Sequence, residues 1–117
     1  MNATRDLLAQ IQAHVVGLLG EEDPEFVEDL VETFTETSRG ALADARAAAQ
    51  AGDAAALAAS AHTLKGSASN VGLVGIAEVW DEVETAVRQG HDASAAVERA
   101  VLETTEAVAT LGAARAV

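Results

Sequence analysis

Residues 53–73 have the sequence DAAALAASAHTLKGSASNVGL, and this stretch decides the fold. It opens with Asp53, a residue type that caps helix N-termini, and it closes near Gly72, which is typical of a left-handed helix terminator. Between them, apolar residues recur at alternating spacings of four and three, the period of one face of an α-helix. The predicted buried face consists of Leu57, Ala61, Leu64, Ala68 and Val71.

Four further segments with the same apolar period flank this helix, and glycine or aspartate separates them. They run from about Thr4 to Leu19, from Pro24 to Gly52, from Leu73 to Gly90, and from near Asp92 onward. Alanine dominates the composition and only one proline is present, which favours helix throughout. Short loops force neighbouring helices to run antiparallel. We therefore predict an all-α fold, an antiparallel up-down-up-down four-helix bundle with an additional short N-terminal helix.

The overall charge restricts the kinds of partner. The chain has 117 residues with 19 acidic and 7 basic side chains, for a formal net charge of −12. Nucleic acids and anionic membranes are poor partners, because both bind clustered lysine and arginine. Cysteine is absent, residues 1–10 lack the basic region and long apolar run that are typical of a signal peptide, and no apolar run is long enough for a membrane span. These features predict one soluble, cytoplasmic domain, expected to be a monomer.

His62 lies one residue away from the apolar face of the third helix, about 100° around the helix axis. It is therefore expected at the edge of the core or outside it. Helical spacing places Ala58, Lys65, Gly66 and Ser69 on the same face as His62. This face combines an imidazole, the only lysine of the chain, a helical glycine and a hydroxyl group.

These residue types suit the chemistry of phosphate. Imidazole is nucleophilic near neutral pH because its reference pKa is about 6.5. Lys65, one turn further along, can neutralise a phosphoryl group on the ring. Gly66 costs about 1 kcal/mol in a helix interior relative to alanine, which suggests that something must approach closely there. Each residue alone has an ordinary explanation in solvation or packing, but the combination on one face favours a phosphoryl site.

One stretch of the third helix resembles the signature of histidine-containing phosphotransfer (HPt) domains. The stretch is AHTLKGS, from Ala61 to Ser67, followed by Gly72 and Leu73. Such domains include the phosphotransfer domain of chemotaxis-type histidine kinases. The resemblance in helix order and length covers roughly residues 20–112 and implies a single HPt domain over residues 1–117. It implies that His62 is the phosphoacceptor and that Lys65 steadies the phosphoryl group. It also implies that Gly66 clears space for a partner. Ala58 and Ser69, on the same face by helical spacing, are small enough to leave a flat docking surface.

The HPt family also places a glutamine or glutamate on the following helix, facing the histidine, and the matching residue is Glu84. A carboxylate there can accept the Nδ1 proton of His62 and leave Nε2 unprotonated for attack. The alternative is a solvated glutamate in the acidic run from Asp81 to Glu84. A mild departure from the family is Ala68, where many relatives have a second small polar residue.

The predicted function is a phosphorelay intermediate of two-component signalling. It carries a phosphoryl group on His62 between a histidine kinase or receiver aspartate and another receiver aspartate. We expect no catalytic centre or cofactor in the chain itself, with Mg²⁺ held by the receiver domain.

Two alternatives stay open. The chain could be a phosphoacceptor domain that works in trans with a chemotaxis-type kinase, or a helical adaptor without chemistry. No metal site is expected, since none of His14, His62 and His91 has a glutamate three residues before it, as a di-metal carboxylate bundle requires. His14 and His91 are expected to be surface or loop residues.

Overall fold

The computed structural model describes residues 3–115, with side chains for residues 6–113. All regular secondary structure in this range is α-helical, as predicted. None of the helices in the range is long and apolar enough to span a bilayer. The five helices are α1 (Ala3–Leu19), α2 (Pro24–Ala51), α3 (Ala54–Asn70), α4 (Val74–Arg88) and α5 (Ser94–Arg115).

Side-chain caps define the beginnings of α2 and α3. Asp23 accepts a hydrogen bond from the backbone N–H of Phe26 at 3.1 Å, and Asp53 accepts one from Ala56 at 3.1 Å. Each cap satisfies a donor that has no partner within the helix. Gly52, with φ of +67°, ends α2 in the left-handed conformation, so that only Gly52 and Asp53 separate the two helices.

Helices α2 to α5 form a closed ring of contacts, in which α2 meets α3, α3 meets α4, α4 meets α5, and α5 meets α2. Helix α1 lies against α5 and α2. It has 17 residues, as many as α3, whereas α4 has 15. The prediction of a short N-terminal helix is therefore wrong. Its predicted span, from about Thr4 to Leu19, agrees with α1, and Ile11 and Val15, which are fully buried, anchor successive turns of the whole helix on the ring.

The predicted apolar faces largely coincide with the buried residues. Those of α3 are all buried, namely Leu57, Ala61, Leu64, Ala68 and Val71. Leu18 also follows the apolar period of its helix, but it is 61% exposed. Because α1 meets the ring along only one side, its apolar pattern extends further than its buried surface.

The turn between α3 and α4 depends on Gly72. Its φ of +81° is in the left-handed region, which side chains other than glycine rarely adopt. A Cβ atom at this position would also lie 2.5 Å from the Cβ of His14 on α1. Glycine is thus required both by the backbone conformation and by the half-buried His14 side chain that packs over the turn.

Candidate functional site

His62 lies in the middle of α3 with 69% of its side chain exposed. Ala61 and Leu64, on the adjacent face, are buried against the neighbouring helices. The helical path therefore turns the imidazole out of the core while the backbone that carries it stays firmly packed. This combination leaves the ring accessible to another molecule.

Glu84 of α4 lies against the inner edge of the imidazole. The Nδ1 atom of His62 is 3.4 Å from Oε1 and 3.3 Å from Oε2 of the carboxylate. Only 9% of the Glu84 side chain is exposed, because the preceding residue, Val83, packs into the core and holds α4 close to α3. A carboxylate with so little access to water needs charged or hydrogen-bonding partners, and three basic side chains provide them.

Arg88 is the strongest of these partners. One turn further along α4, it donates two hydrogen bonds to Oε2 of Glu84, from Nε at 3.0 Å and from Nη2 at 2.8 Å. These hydrogen bonds are the largest influence that lowers the pKa of Glu84, while burial acts in the opposite direction and His62 and Lys65 add smaller lowering effects. Glu84 is therefore ionised at neutral pH.

Lys65 approaches the same carboxylate from α3. Its Nζ donates to Oδ1 of Asp81 at 2.9 Å and to Oε1 of Glu84 at 3.4 Å. The hydrogen bond to Asp81 is the largest of the influences that raise the pKa of Lys65. The ammonium group thus lies between two carboxylates of α4, with 35% of the side chain exposed.

The ionised state of Glu84 determines the tautomer of His62. An ionised carboxylate only accepts hydrogen bonds, so Nδ1 is the donor in this contact. In a neutral imidazole, a proton on Nδ1 leaves the lone pair of Nε2 free. The arrangement can therefore present an unprotonated, outward-facing nitrogen as a nucleophile.

The surface beside His62 is low and open. Gly66 and Ser69 are both exposed, and a Cβ atom added at Gly66 would meet nothing within 4 Å. Ala58 differs from the expectation, because it is only 7% exposed. Its position on α3 faces the neighbouring helices closely enough to cover the methyl group, so it offers almost no surface to a docking partner.

A groove of about 400 Å³ runs between α2 and α3 next to the imidazole. Apart from His62, no ionisable side chain lines it, although the chain as a whole has a formal net charge of −12. The groove is lined by Leu30, Thr33, Phe34, Thr37, His62, Thr63, Gly66, Ser67, Asn70 and Val71. His62 thus stands between an uncharged groove on the α2 side and a charged cluster on the α4 side.

A family model for the Hpt domain matches residues 29–114, a range that includes both His62 and Glu84. The chain belongs to the Hpt domain family. Among solved structures, this Hpt protein is similar to histidine-containing phosphotransfer protein B (HptB) from Pseudomonas aeruginosa PAO1. The two share 31% sequence identity with a TM-score of 0.73, and the match covers 90% of each chain. Among curated proteins, none gives a significant match.

Family membership and the likeness to HptB identify the chain as a histidine phosphotransfer protein of a phosphorelay. Hpt proteins are phosphoryl carriers, and they interact with receiver domains and histidine kinases. Across residues 6–113 of this Hpt protein, no group of three or more histidine and acidic side chains is placed to hold a metal ion.

Sequence reasoning singled out His62, Lys65 and Glu84, and the structure brings all three together. It did not single out Arg88, although the i, i+4 spacing from Glu84 is a recognisable signal for an ion pair on one helix. In the sequence, Asp81 stands out only as part of an acidic run. Its contact with Lys65 joins two helices, so no spacing within either helix could have indicated it.

Proposed function

We propose that His62 is the phosphoacceptor of this Hpt protein and that Nε2 is the reacting atom. The observation that carries the proposal is an exposed imidazole whose Nδ1 meets a carboxylate of which only 9% is exposed. Histidines on protein surfaces ordinarily face water at both nitrogens, whereas here one nitrogen is oriented by a fixed acceptor. The other is left free to react.

The proposed transfer from a receiver needs no proton movement. The Nε2 lone pair forms a bond to phosphorus as the bond between phosphorus and the aspartate oxygen breaks, and the carboxylate leaves with the bonding electrons. Nδ1 keeps its hydrogen, so the imidazole becomes cationic. Onward transfer reverses these changes, with the electrons of the N–P bond returning to Nε2.

Glu84 is proposed to stabilise the cationic ring and to orient it. Its contacts with Nδ1, at 3.3 and 3.4 Å, are longer than the usual 2.9 Å or so of such hydrogen bonds. Charge-assisted hydrogen bonds are shorter and stronger than neutral ones. We therefore expect this contact to tighten as the ring gains positive charge, so that it favours the charged state over the resting state.

The docking surface is proposed to consist of the exposed helix surface at Gly66 and Ser69 together with the uncharged groove between α2 and α3. Lys65 is proposed to stabilise the phosphoryl oxygens. Mg²⁺ and most of the transition-state stabilisation are assigned to the receiver domain, so no catalytic centre or cofactor is proposed for this chain.

The ring of helices α2 to α5 is proposed to be an antiparallel up-down-up-down bundle, since its three connections have two, three and five residues. A single domain over residues 1–117 with its bundle core at about residues 20–112, the monomeric state and the cytoplasmic location stay predictions from the sequence.

The phosphoacceptor assignment is tested by labelling three single variants with phosphoramidate and with a panel of phosphorylated receiver domains. We expect His62→Gln to keep the wild-type circular dichroism spectrum and melting temperature but to take no phosphoryl group. His14→Gln and His91→Gln are the matched controls and should label normally. Label that persists in His62→Gln would place the phosphoacceptor elsewhere.

The same assay, with a chemotaxis-type kinase and ATP added as a further donor, separates the alternatives. A chain that takes the phosphoryl group from the kinase in trans, and never exchanges it with receivers, is a phosphoacceptor domain that works with a chemotaxis-type kinase. A chain that takes no label from any donor is an adaptor.

A further inference from the structure

Lys65 is not free to meet a phosphoryl group in the resting protein. Its ammonium group lies 2.9 Å from Asp81 and 3.4 Å from Glu84, and both carboxylates belong to α4. Asp81 and Glu84 are three residues apart on that helix and therefore lie on the same face. The lysine reaches across from α3 to this face.

The ammonium group of Lys65 and the imidazole of His62 contact the same oxygen of Glu84. Oε1 of Glu84 is 3.4 Å from Lys65 Nζ and also 3.4 Å from His62 Nδ1. The lysine therefore lies on the Nδ1 side of the imidazole. The two nitrogens of an imidazole point in diverging directions, so a phosphoryl group on Nε2 lies on the side of the ring that faces away from this carboxylate. Lys65 must leave at least part of its present contact to reach it.

We propose that Asp81 is a positioning residue that holds Lys65 on α4 and thereby shortens the lifetime of phosphohistidine at position 62. The proposal rests on the proposed phosphoacceptor role of His62. Asp81 and the phosphoryl group compete for one ammonium group, and the stronger Asp81 holds it, the less the phosphoryl group is stabilised. A less stabilised phosphoryl group is more readily lost, either to a receiver or to water.

Hydrolysis of the phosphohistidine by water sets its half-life, which is the quantity to be measured. The oxygen of water forms a bond to phosphorus, the N–P bond breaks, and its electron pair returns to Nε2. Inorganic phosphate leaves with both hydrogens of the water, and the imidazole becomes neutral with its own hydrogen still on Nδ1. Lys65, when bound to the phosphoryl oxygens, balances their charge in the phosphorylated state and slows this reaction.

The experiment compares the half-life of phosphohistidine in the full chain after labelling with phosphoramidate and removal of the donor. Asp81→Asn should lengthen the half-life by about two- to fivefold, the range that partly exposed ion pairs produce. Asp81→Glu, which keeps the charge, should resemble wild type. Glu82→Gln is the matched control, because it removes the same charge from a neighbouring carboxylate that lies 3.9 Å from Arg99 instead.

A double variant separates positioning from simple charge repulsion. In a Lys65→Ala background, Asp81→Asn should have no effect, since there is no ammonium group to release. An effect of the same size in that background, or an unchanged or shortened half-life in the single variant, would overturn the proposal. Failure of the proposed function is a different result, because wild type would then take no label or His62→Gln would label as well as wild type.

Discussion

At the scale of single residues, Glu84 is the group on which the site depends. One carboxylate contacts an imidazole, an ammonium and a guanidinium group, which come from two helices. Each partner is a donor to the ionised form, so together they offset the cost of removing the carboxylate from water. The oxygens are also divided between partners, since Arg88 holds Oε2 through both of its hydrogen bonds and Lys65 approaches Oε1.

Arg88 is expected to act on His62 through Glu84. Arg88→Ala removes both hydrogen bonds that the arginine donates to the Glu84 carboxylate. It should slow phosphoryl transfer to His62 by about two- to fivefold, the effect expected from loss of a partly exposed ion pair. Arg88→Lys should recover only part of the rate, because an ammonium group cannot donate through two fixed nitrogens. The measurement is the initial rate of transfer from a phosphorylated receiver.

The matched control for Arg88 is Arg99→Ala. Arg99 is an equally exposed arginine that pairs with Glu82 at 3.9 Å and Glu103 at 3.4 Å. Its removal changes the net charge by the same amount without touching Glu84. Equal rates in Arg88→Ala and wild type, or equal slowing in both arginine variants, would contradict a specific positioning role for Arg88.

The ionisation of Glu84 also predicts a pH dependence of stability. Its pKa is lowered in the folded protein from the ordinary value of 4.5, so the folded state binds its proton less readily than the unfolded state does. The stabilisation is therefore fully present above the ordinary pKa and is lost as the pH falls through the lowered one. Glu84→Gln removes this contribution while preserving the shape of the side chain.

We expect wild type to exceed Glu84→Gln in unfolding free energy by about 1 kcal/mol at about pH 7, and the difference to shrink progressively as the pH falls below 4.5 and through the lowered pKa of Glu84. Urea titrations of both proteins at a series of pH values measure this difference. Carboxylates outside this cluster contribute equally to the stability of both proteins and cancel from the difference. A difference that stays constant over the whole range would mean that the charge of Glu84 contributes nothing to folding.

At the scale of elements, the site is a product of the packing of α3 against α4. His62 and Lys65 come from α3, whereas Asp81, Glu84 and Arg88 come from α4. On each helix the functional residues are separated by three or four positions and share a face. The connection of three residues at positions 71–73 leaves little freedom in how the two faces meet.

A substitution at Gly66 on α3 tests whether a receiver docks across this surface of the helix. A Cβ atom there would meet nothing within 4 Å, and the residue is exposed, so a larger side chain fits the isolated protein. Gly66→Gln should raise the unfolding free energy by up to about 1 kcal/mol, because glycine is the poorer helix former. The same side chain projects from the surface next to His62 and should hinder transfer from a receiver.

Stability and transfer are thus expected to change in opposite directions. A thermal melt and a transfer assay on the same Gly66→Gln sample measure both. Phosphoramidate, which is too small to need the docking surface, should still label the variant and serves as the internal control. Unchanged transfer from the receiver would show that partners do not dock across this surface.

At the scale of the whole molecule, the bundle is held together by a core of aliphatic side chains around two fully buried aromatic ones, Trp80 and Phe34. Trp80 is fully buried, and its Nε1 donates to Oγ1 of Thr104 at 2.7 Å. Thr104 in turn donates to the backbone carbonyl of Ala100 at 2.7 Å. This chain of hydrogen bonds joins α4 to α5, whereas Glu84 joins α4 to α3, and so it helps to fix the helix that carries Glu84.

Thr104→Val tests this connection, because it preserves the shape of the side chain but leaves the indole N–H without an acceptor. A buried donor without a partner costs about 1–3 kcal/mol, and the unfolding free energy should fall by that amount. Thr105→Val is the matched control, since Thr105 is exposed and accepts only from Arg46 at 3.2 Å. Urea unfolding followed by the fluorescence of Trp80, the only tryptophan, measures both. Equal losses in the two variants would show that the buried hydrogen bond contributes little.

The sequence by itself determined the helical class, the cap at Asp53 and the buried face of α3. It also placed His62, Lys65 and Gly66 on one exposed face. These features are local, because the period of a helix and the chemistry of its ends depend only on residues a few positions apart. The family resemblance added Glu84, which lies on another helix and which no spacing within α3 could indicate.

Only the tertiary structure decided what lies across a helix interface. The contact between Lys65 and Asp81 and the approach of His14 to Gly72 depend on how one helix is rotated and shifted against another. The burial of Ala58, which the sequence pattern put on the docking face, has the same origin. Helical period determines the angle at which a side chain leaves its own helix, but the neighbour that it meets is determined by packing of the whole bundle.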